Sequence, residues 1–336
     1  MNLLVTGGAG FIGSNFIHFL LNEDPSVKIF NFDLLTYAGN LENLKKIDKN
    51  PNYHFVKGDI RNIGEIETAF NENKIDSVIH FAAESHVDRS ILGPLVFTET
   101  NVTGTHNLLE VSRRLNISRY LQVSTDEVYG TLGATGKFTE TTPLQPNSPY
   151  SSSKAAADLM VRAYVETFHF PAVITRCSNN YGPFQFPEKL IPVIISNALN
   201  DKLLPVYGDG MNIRDWIHVE DHNRGVWEVF KKGKTGEVYN LGGNAEKPNI
   251  EIVKFILGYL KKPESLITYV KDRPGHDRRY AMDVSYIKKE LGWEPKIKFE
   301  DGLASTIQWY LDNKEWWDRI ISGDYKNYFE QNYGGR

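Results

Sequence analysis

A glycine-rich segment near the amino terminus restricts the fold of this chain more than any other feature of the sequence. Three glycines spaced as G-x-G-x-x-G, within Gly8-Ala9-Gly10-Phe11-Ile12-Gly13, follow an apolar run at residues 3–6 and open a helical pattern near 12–21. Glycines at this spacing allow a tight strand-to-helix turn whose backbone can approach a pyrophosphate, and the helix offers N–H donors to it. The segment therefore predicts a parallel sheet with a dinucleotide at the end of its first strand.

An acidic residue downstream of this motif supports the dinucleotide site and selects the cofactor. Asp33 ends the next predicted strand, 20 residues after Gly13, where a carboxylate can accept hydrogen bonds from ribose hydroxyls. Leu34 and Leu35 follow where a 2′-phosphate would require arginine, and the carboxylate would repel that phosphate. We therefore predict NAD rather than NADP, the alternative being a glycine-rich turn without a ligand.

Strand and helix patterns alternate through the first half of the chain. Six β-branched, apolar runs are separated by helical patterns, with the strands at 3–6, 28–32, 53–57, 77–81, 119–124 and 172–176. This alternation predicts an α/β fold with a doubly wound parallel sheet, whose ligand lies beyond the carboxyl ends of the strands. After residue 181, prolines and glycines separate shorter elements. We predict a NAD-binding domain over 1–180 and a smaller, mixed α/β substrate-binding domain over 181–336, with some segments interchanged between the two.

Composition and charge exclude several classes of function. The 336 residues include 38 Lys and Arg against 42 Asp and Glu, a formal net charge of −4. Without a basic surplus, neither nucleic acid nor an anionic membrane is an expected partner. The longest apolar runs fall far short of the roughly 18 residues of a membrane span, and the amino terminus lacks the basic region of a signal peptide. The single cysteine, Cys177, cannot form an internal disulfide, which agrees with a cytoplasmic protein.

One pair of residues suggests proton transfer to or from a hydroxyl group. Tyr150 and Lys154 are four residues apart, hence on one face of a helix that begins after Pro149. A nearby ammonium favours the phenolate, which could take a proton from a sugar hydroxyl as hydride leaves. Without the dinucleotide motif, the pair would more often belong to a plain exposed helix face, and the motif reverses that preference.

The end of the fifth predicted strand carries a second polar group. Thr125 could donate a hydrogen bond to the hydroxyl that Tyr150 deprotonates. Asp126 and Glu127 follow it. Of two adjacent carboxyl groups at a strand end, one could act as a general acid and the other as a general base. Taken alone, these carboxylates would more often form a solvated turn.

Two further patterns are not interpreted as sites. His218 and His222 stand at i and i+4, but the residues around them do not match H-E-x-x-H, and we predict no metal site. The aromatic residues near the carboxyl terminus are expected to pack against the protein, and they are Trp309, Tyr310, Trp316, Trp317, Tyr325, Tyr328 and Phe329.

The whole chain resembles the extended short-chain dehydrogenases/reductases, and among them the nucleotide-sugar 4,6-dehydratases. The resemblance runs nearly end to end, through residues 7–13, 32–40, 82–90, 124–130, 150–154, 176–183, 187–192, 214–216 and 272–280. The Tyr and Lys motif is common to the superfamily. The Asp126-Glu127 pair is distinctive, because related 4-epimerases lack it and related nucleotide-sugar decarboxylases carry serine where Asp126 stands.

This resemblance implies a Rossmann fold and a lyase reaction on dTDP-glucose, as in the biosynthesis of rhamnose-type deoxysugars. Tyr150, helped by Thr125 and Lys154, would take the C4 hydroxyl proton while hydride passes to tightly bound NAD. Glu127 would remove the C5 proton, Asp126 would protonate the departing C6 hydroxyl, and the hydride would return to C6. The residues themselves leave open whether the base is thymine, uracil or cytosine.

The resemblance also implies the binding residues. The predicted NAD-binding residues, which include residues of the glycine motif, are Gly7, Gly10, Phe11, Ile12, Gly13, Asp33, Leu34, Leu35, Thr36, Asp59, Ile60, Phe81, Ala82, Ala83, Thr100, Tyr150, Lys154 and Asn180. Those for the nucleotide sugar are Ser85, His86, Thr125, Asn179, Lys189, Leu190, Pro205, Val206, Tyr207, Arg214, Asn249, Asp272, Arg273 and His276. Arginine is the natural bidentate partner of a diphosphate, although each arginine could equally form a surface ion pair.

The family further implies a homodimer. The helices near 97–115 and 150–168 would pair across a two-fold axis, and their apolar positions could line that interface or equally face the sheet: Leu108, Val111, Leu159, Val161 and Val165. A non-catalytic dinucleotide sensor on the same fold is the alternative from another class. The intact set of five predicted catalytic residues argues against it.

Overall fold

A computed structural model of the protein describes residues 1–320. Its strands are β1 (Asn2–Thr6), β2 (Lys28–Asp33), β3 (Tyr53–Lys57), β4 (Ser77–His80), β5 (Arg119–Thr125), β6 (Ala172–Cys177), β7 (Asn179–Tyr181), β8 (Leu204–Tyr207), β9 (Ile213–His218), β10 (Val238–Leu241), β11 (Glu246–Pro248) and β12 (Ile267–Val270). Its α-helices are α1 (Phe11–Glu23), α2 (Ile63–Asn73), α3 (Val87–Leu92), α4 (Leu95–Phe97), α5 (Thr105–Arg114), α6 (Pro149–Phe168), α7 (Leu190–Leu199), α8 (Val219–Lys232), α9 (Asn249–Leu260), α10 (Ser285–Leu291), α11 (Phe299–Asp312) and α12 (Lys314–Ile320).

Seven parallel strands form the main sheet, in the order β10-β6-β5-β4-β1-β2-β3. From β1 the chain builds outward through β2 and β3, then crosses back to β4 on the other side of β1. This reversal creates a crevice at the carboxyl ends of β1 and β4, where ligands bind in open α/β sheets. The predicted doubly wound parallel sheet is confirmed, and all six predicted strands belong to it.

Helices cover both faces of this sheet because alternate strand residues point to opposite sides. In β1, Leu3 and Val5 pack with α1 and α8 in one apolar cluster. Leu4 packs in a second cluster on the other face, with side chains of α2, α5 and α6. Leu108, Val111 and Val161 are buried in that second cluster, so these three of the proposed interface positions face the sheet.

The elements after residue 181 divide between two regions. Helix α8 and strand β10 pack on the main sheet. Small sheets of β11-β9-β7 and β12-β8 and helices α7, α9, α11 and α12 surround a third apolar cluster.

The aromatic residues of the carboxyl-terminal helices belong to this third cluster. Trp309, Tyr310, Trp316 and Trp317 pack there, and Trp316 Nε1 also donates to Asn43 Oδ1 over 2.9 Å. Tyr325, Tyr328 and Phe329 lie outside the described residues. Within residues 1–320, no helix has the length and apolar character needed to cross a membrane.

Candidate active site

A cavity of about 450 Å³ lies at the carboxyl ends of the central strands. All five predicted catalytic residues line it, as do all predicted cofactor residues except Leu35. Parallel topology explains this convergence, because residues far apart in sequence follow strands that end at the same edge of the sheet.

The glycine turn forms one wall of the cavity at the start of α1. Gly7 has a φ of 70°, and a Cβ there would lie only 2.6 Å from the backbone nitrogen of Ala82. A Cβ at Gly13 would collide with the carbonyl oxygen of Gly7. Both positions therefore require glycine, and the first turn of α1 is open to an approaching phosphate.

Asp33 is fixed beside this turn by two backbone donors. The N–H of Ala9 donates to Oδ2 over 2.9 Å, and the N–H of Leu35 donates to Oδ1 over 2.8 Å. Burial raises the pKa of Asp33, while these two hydrogen bonds oppose the rise. Each oxygen keeps a lone pair for a ribose hydroxyl. Leu35 itself has a φ of 60° and orients Asp33 without lining the cavity.

Helix α6 positions Tyr150 and Lys154. The Ser148 side chain accepts from the Ser151 N–H while Ser151 Oγ accepts from the Ser148 N–H, and Pro149 occupies the first turn. This capping box fixes where the helix begins. Both of these predicted catalytic side chains are buried.

The expected effect of Lys154 on Tyr150 is not found in this arrangement. Burial, followed by the charges of Glu127, Cys177 and Asp126, raises the pKa of Tyr150 well above its ordinary value. The ammonium of Lys154 instead donates to the backbone carbonyl of Val123 over 2.8 Å, and burial lowers the pKa of Lys154.

A single 3₁₀ turn, Asp126–Tyr129, presents the two carboxylates. Thr125 caps this turn: its Oγ1 accepts from the Glu127 N–H over 3.3 Å and donates to Asp126 Oδ1 over 3.2 Å. Asp126 is fully buried, and its Oδ2 has no hydrogen-bond partner among residues 1–320. Burial, with the charges of Glu127 and Asp215, raises the pKa of Asp126 well above its ordinary value, which favours the protonated form that a general acid requires.

Glu127 stands in a different environment from its neighbour. It is only partly buried, and burial raises its pKa while Arg273, Lys189 and Arg214 act in the opposite direction. These three cations favour the carboxylate form that a base requires. The adjacent carboxylates therefore have environments suited to different roles.

The predicted nucleotide-sugar residues fall into two groups. Ser85, Thr125, Asn179 and Lys189 line the cavity, and Lys189 Nζ donates to the Ser85 carbonyl over 2.9 Å. The others do not line it, and they are His86, Leu190, Pro205, Val206, Tyr207, Arg214, Asn249, Asp272, Arg273 and His276.

Several members of the second group are held by partners within the protein. Tyr207 donates to Asp88 Oδ2 over 2.8 Å, and Arg273 pairs with Asp88 Oδ1 over 3.2 Å. Arg214 donates to the carbonyl of Asp277 over 2.9 Å. The contacts of Asp88 with Tyr207 and Arg273 were not predicted from the sequence, although Asp88 lies within the segment 82–90 that carries the family resemblance.

Several residues that line the cavity were not predicted from the sequence. Gly58 and Arg61 follow β3, and their position after a strand end could have indicated them. The remaining unpredicted lining residues are Phe32, Ala38, Gly39, Glu84, Val96, Val123, Ser124, Cys177, Ser178, Gln185, Phe186 and Glu188.

Of the two histidines set aside above, His218 caps α8 by accepting from the Glu220 N–H.

Comparison with known proteins places the chain in a family. The family model described as GDP-mannose 4,6 dehydratase matches residues 4–306. A dTDP-glucose 4,6-dehydratase of Xanthomonas campestris pv. campestris (strain B100) is 53% identical over 341 residues, covering 96% of this chain and 97% of that protein.

Two solved structures extend this comparison to the fold. The dTDP-glucose 4,6-dehydratase from Bacillus anthracis str. Ames, in complex with NAD, has a TM-score of 0.90 and 53% identity, covering 95% of this chain and 99% of the other. The enzyme of the same name from Streptomyces venezuelae, with NAD bound, has a TM-score of 0.93 and 49% identity, covering 95% of this chain and 100% of the other. The chain belongs to the GDP-mannose 4,6-dehydratase family of extended short-chain dehydrogenases/reductases.

Proposed function

We propose that the protein catalyses the NAD-dependent 4,6-dehydration of dTDP-glucose, giving dTDP-4-keto-6-deoxyglucose and water in deoxysugar biosynthesis. One observation carries the proposal: the glycine turn, the Tyr150 and Lys154 pair, and the Asp126 and Glu127 pair line the same cavity. The likeness to dehydratases over at least 95% of the chain supports it.

The residues around the glycine turn fit NAD. The first turn of α1 would hold the pyrophosphate, because a side chain is sterically excluded at Gly7 and Gly13 and the helix N–H groups point at the ligand. Asp33 would accept from the ribose hydroxyls with its remaining lone pairs. When bound, oxidised NAD supplies a hydride acceptor and a positive nicotinamide ring that favours the Tyr150 phenolate.

Oxidation at C4 requires removal of a hydroxyl proton, and Tyr150 is the proposed base. Its phenol is buried in the cavity wall beside Thr125. Lys154 joins α6 to the end of β5 through the Val123 carbonyl, which holds the phenol near the acidic turn. In this structure Lys154 therefore supports Tyr150 through position.

Elimination of water requires an acid and a base on neighbouring atoms of the sugar. Glu127 would remove the C5 proton that the C4 ketone has acidified, and the cations near it favour its carboxylate form. Asp126 would protonate the departing C6 hydroxyl, because burial favours its neutral form and Oδ2 is unpartnered among the described residues.

Three alternatives on the same scaffold are weaker. A 4-epimerase needs no second acid and base, and a decarboxylase of this family carries serine where Asp126 stands. A non-catalytic sensor needs no buried carboxyl group with a raised pKa, such as Asp126, beside a second carboxyl group in the cavity wall.

The test is a product assay. Wild-type protein incubated with dTDP-glucose and then treated with alkali should develop the chromophore of a 4-keto sugar, and Tyr150→Phe should not. Parallel assays with UDP-glucose and CDP-glucose determine the nucleobase preference. A wild-type protein that binds NAD but forms no chromophore would favour the sensor.

We also propose a cytoplasmic homodimer. Leu159 on α6 is 55% exposed, and Ser152 and Ala163 on the same outer face are exposed as well, which suits close packing against a partner helix. Sedimentation at micromolar concentration should give a dimer. We further propose the domain division at residues 180/181, with α8 and β10 assigned to the NAD-binding domain.

A further inference from the structure

Asp88 joins two residues that the family resemblance assigns to the nucleotide sugar. Its Oδ1 accepts from Arg273 Nη1 over 3.2 Å, and its Oδ2 accepts from the Tyr207 hydroxyl over 2.8 Å. Asp88 belongs to α3, whereas Tyr207 ends β8 and Arg273 follows β12. One carboxylate therefore connects three segments that are distant in the sequence.

These contacts are largely shielded from solvent. Asp88 is 7% exposed, and the side chain of Arg273 is 18% exposed. Burial acts to raise the pKa of Asp88, but the charge of Arg273 opposes it, and the pKa is lowered overall. Breaking a buried ion pair costs more free energy than breaking an exposed one. Asp88 therefore restrains Arg273 more firmly than a surface carboxylate would.

The guanidinium group of Arg273 keeps a donor for a ligand. A guanidinium carries five N–H groups in one rigid plane, so holding Nη1 also restricts the direction of Nε. Arg273 Nε is buried and has no hydrogen-bond partner among residues 1–320. A buried N–H without an acceptor costs free energy, and a ligand with acceptor oxygens would remove that cost.

Two further cations near Arg273 favour an anionic ligand. The positive charges of Lys189 and Arg214 are close enough to act on Arg273. Lys189 donates to the backbone carbonyl of Ser85, and Arg214 donates to that of Asp277. Because these bonds go to neutral groups, they orient the two cations without cancelling their charges. Arginine forms strong, directional hydrogen bonds with phosphate oxygens, so a diphosphate fits this group of residues.

We propose that Asp88 is a positioning residue for the diphosphate of the substrate, holding Arg273 by Nη1 so that Nε donates to a phosphate oxygen. The Tyr207 hydroxyl holds the second oxygen of Asp88 and keeps the carboxylate turned toward Arg273. Asp88 itself does not touch the substrate. This proposal rests on the proposed function, because it takes a nucleoside diphosphate as the ligand.

The test measures the binding of dTDP and of thymidine to NAD-loaded protein by isothermal titration. Asp88→Asn keeps the shape of the side chain but removes the charge that restrains Arg273. It should bind dTDP roughly 10- to 100-fold more weakly, as expected for loss of a hydrogen bond to a charged group. Thymidine, which has no phosphate, should bind with unchanged affinity. Asp201→Asn, which breaks an exposed pair with Lys262, is the matched control and should bind both ligands as wild type does.

Two further variants test whether Asp88 acts through Arg273. In an Arg273→Met background, Asp88→Asn should change dTDP affinity little, because the group that Asp88 positions is gone. Tyr207→Phe keeps both charges and removes the hydroxyl that bonds Asp88, so it should weaken dTDP binding in the same direction but less.

The possible results separate the two proposals. Asp88 is itself an anion, so if it did not position Arg273, removing its charge would strengthen dTDP binding. Tighter or unchanged dTDP binding by Asp88→Asn, an equal loss of thymidine binding, or an equal effect in the Arg273→Met background would overturn the role of Asp88. A wild-type protein that neither binds dTDP nor forms a 4-keto product would instead overturn the proposed function.

Discussion

Lys154 Nζ donates a hydrogen bond to the carbonyl oxygen of Val123 over 2.8 Å. This bond joins helix α6 to the strand end that leads into Thr125, Asp126 and Glu127. The lysine is buried, so the contact sets the spacing between the proposed base and the acidic turn.

Replacing Lys154 should therefore lower the stability of the folded protein. Lys154→Met keeps much of the side-chain volume but leaves a buried carbonyl without its donor, which typically costs about 1–3 kcal/mol. Urea unfolding should show this loss. Lys45→Met, at an exposed position on the surface, is the matched control and should change the free energy of unfolding little. Unchanged stability of Lys154→Met would mean that the Val123 contact is dispensable.

NAD affinity should depend on the charge at position 33. Asp33→Arg removes the ribose acceptor and the carboxylate that receives the Ala9 and Leu35 N–H groups. Isothermal titration of cofactor-free protein should show weaker NAD binding. Glu23→Gln, exposed at the far end of α1, should bind as wild type does. Equal affinities would place the ribose elsewhere.

The position of the active site could largely be read from the sequence, because parallel strands bring their carboxyl ends together. Gly7–Gly13, Asp33 and Thr125–Glu127 each follow or flank such an end, Tyr150 lies in the first turn of α6, and all of these segments reach the cavity.

Contacts between distant segments could not be predicted in this way. The pairing of Arg273 and Tyr207 with Asp88 depends on how two halves of the chain pack, which no local pattern reports. The packing of β10 beside β6 has the same origin. The raised pKa of Tyr150 also escaped prediction, because spacing along a helix shows the nearby lysine and not the extent of burial.

A buried ion pair should contribute to holding the acidic turn. Arg176 Nε donates to Asp158 Oδ2 over 2.9 Å, and its guanidinium also donates to the Tyr129 hydroxyl over 3.0 Å. Arg176→Met leaves the Asp158 charge buried and unpaired, which typically costs about 3–5 kcal/mol. Denaturant unfolding measures the loss, and Arg176→Met/Asp158→Leu should recover part of it. A double variant as unstable as the single one would contradict this electrostatic explanation.

Asp126 should lower stability as pH rises. Its pKa in the folded protein is raised by burial, so the folded state holds a proton that the unfolded state releases. Asp126 contributes its full share to the free energy of unfolding at pH values below its pKa in the unfolded chain. This contribution is lost as the pH rises to the pKa in the folded protein, by at most about 1.4 kcal/mol per pH unit. Asp126→Asn cannot ionise, so its thermal stability relative to wild type should increase with pH. A constant difference across that range would contradict the raised pKa.

The order of chemical steps can be tested by trapping reduced cofactor. Tyr150→Phe lacks the base for oxidation, so neither NADH nor product should appear. Asp126→Asn and Glu127→Gln retain Tyr150 and should oxidise C4 but eliminate water about 10²- to 10⁴-fold more slowly. Stopped-flow absorbance at the NADH band, with saturating dTDP-glucose, should show NADH that persists in the two carboxamide variants and is absent from Tyr150→Phe. Wild-type turnover in both carboxamide variants would reduce Asp126 and Glu127 to a structural turn and remove the main support for dehydration.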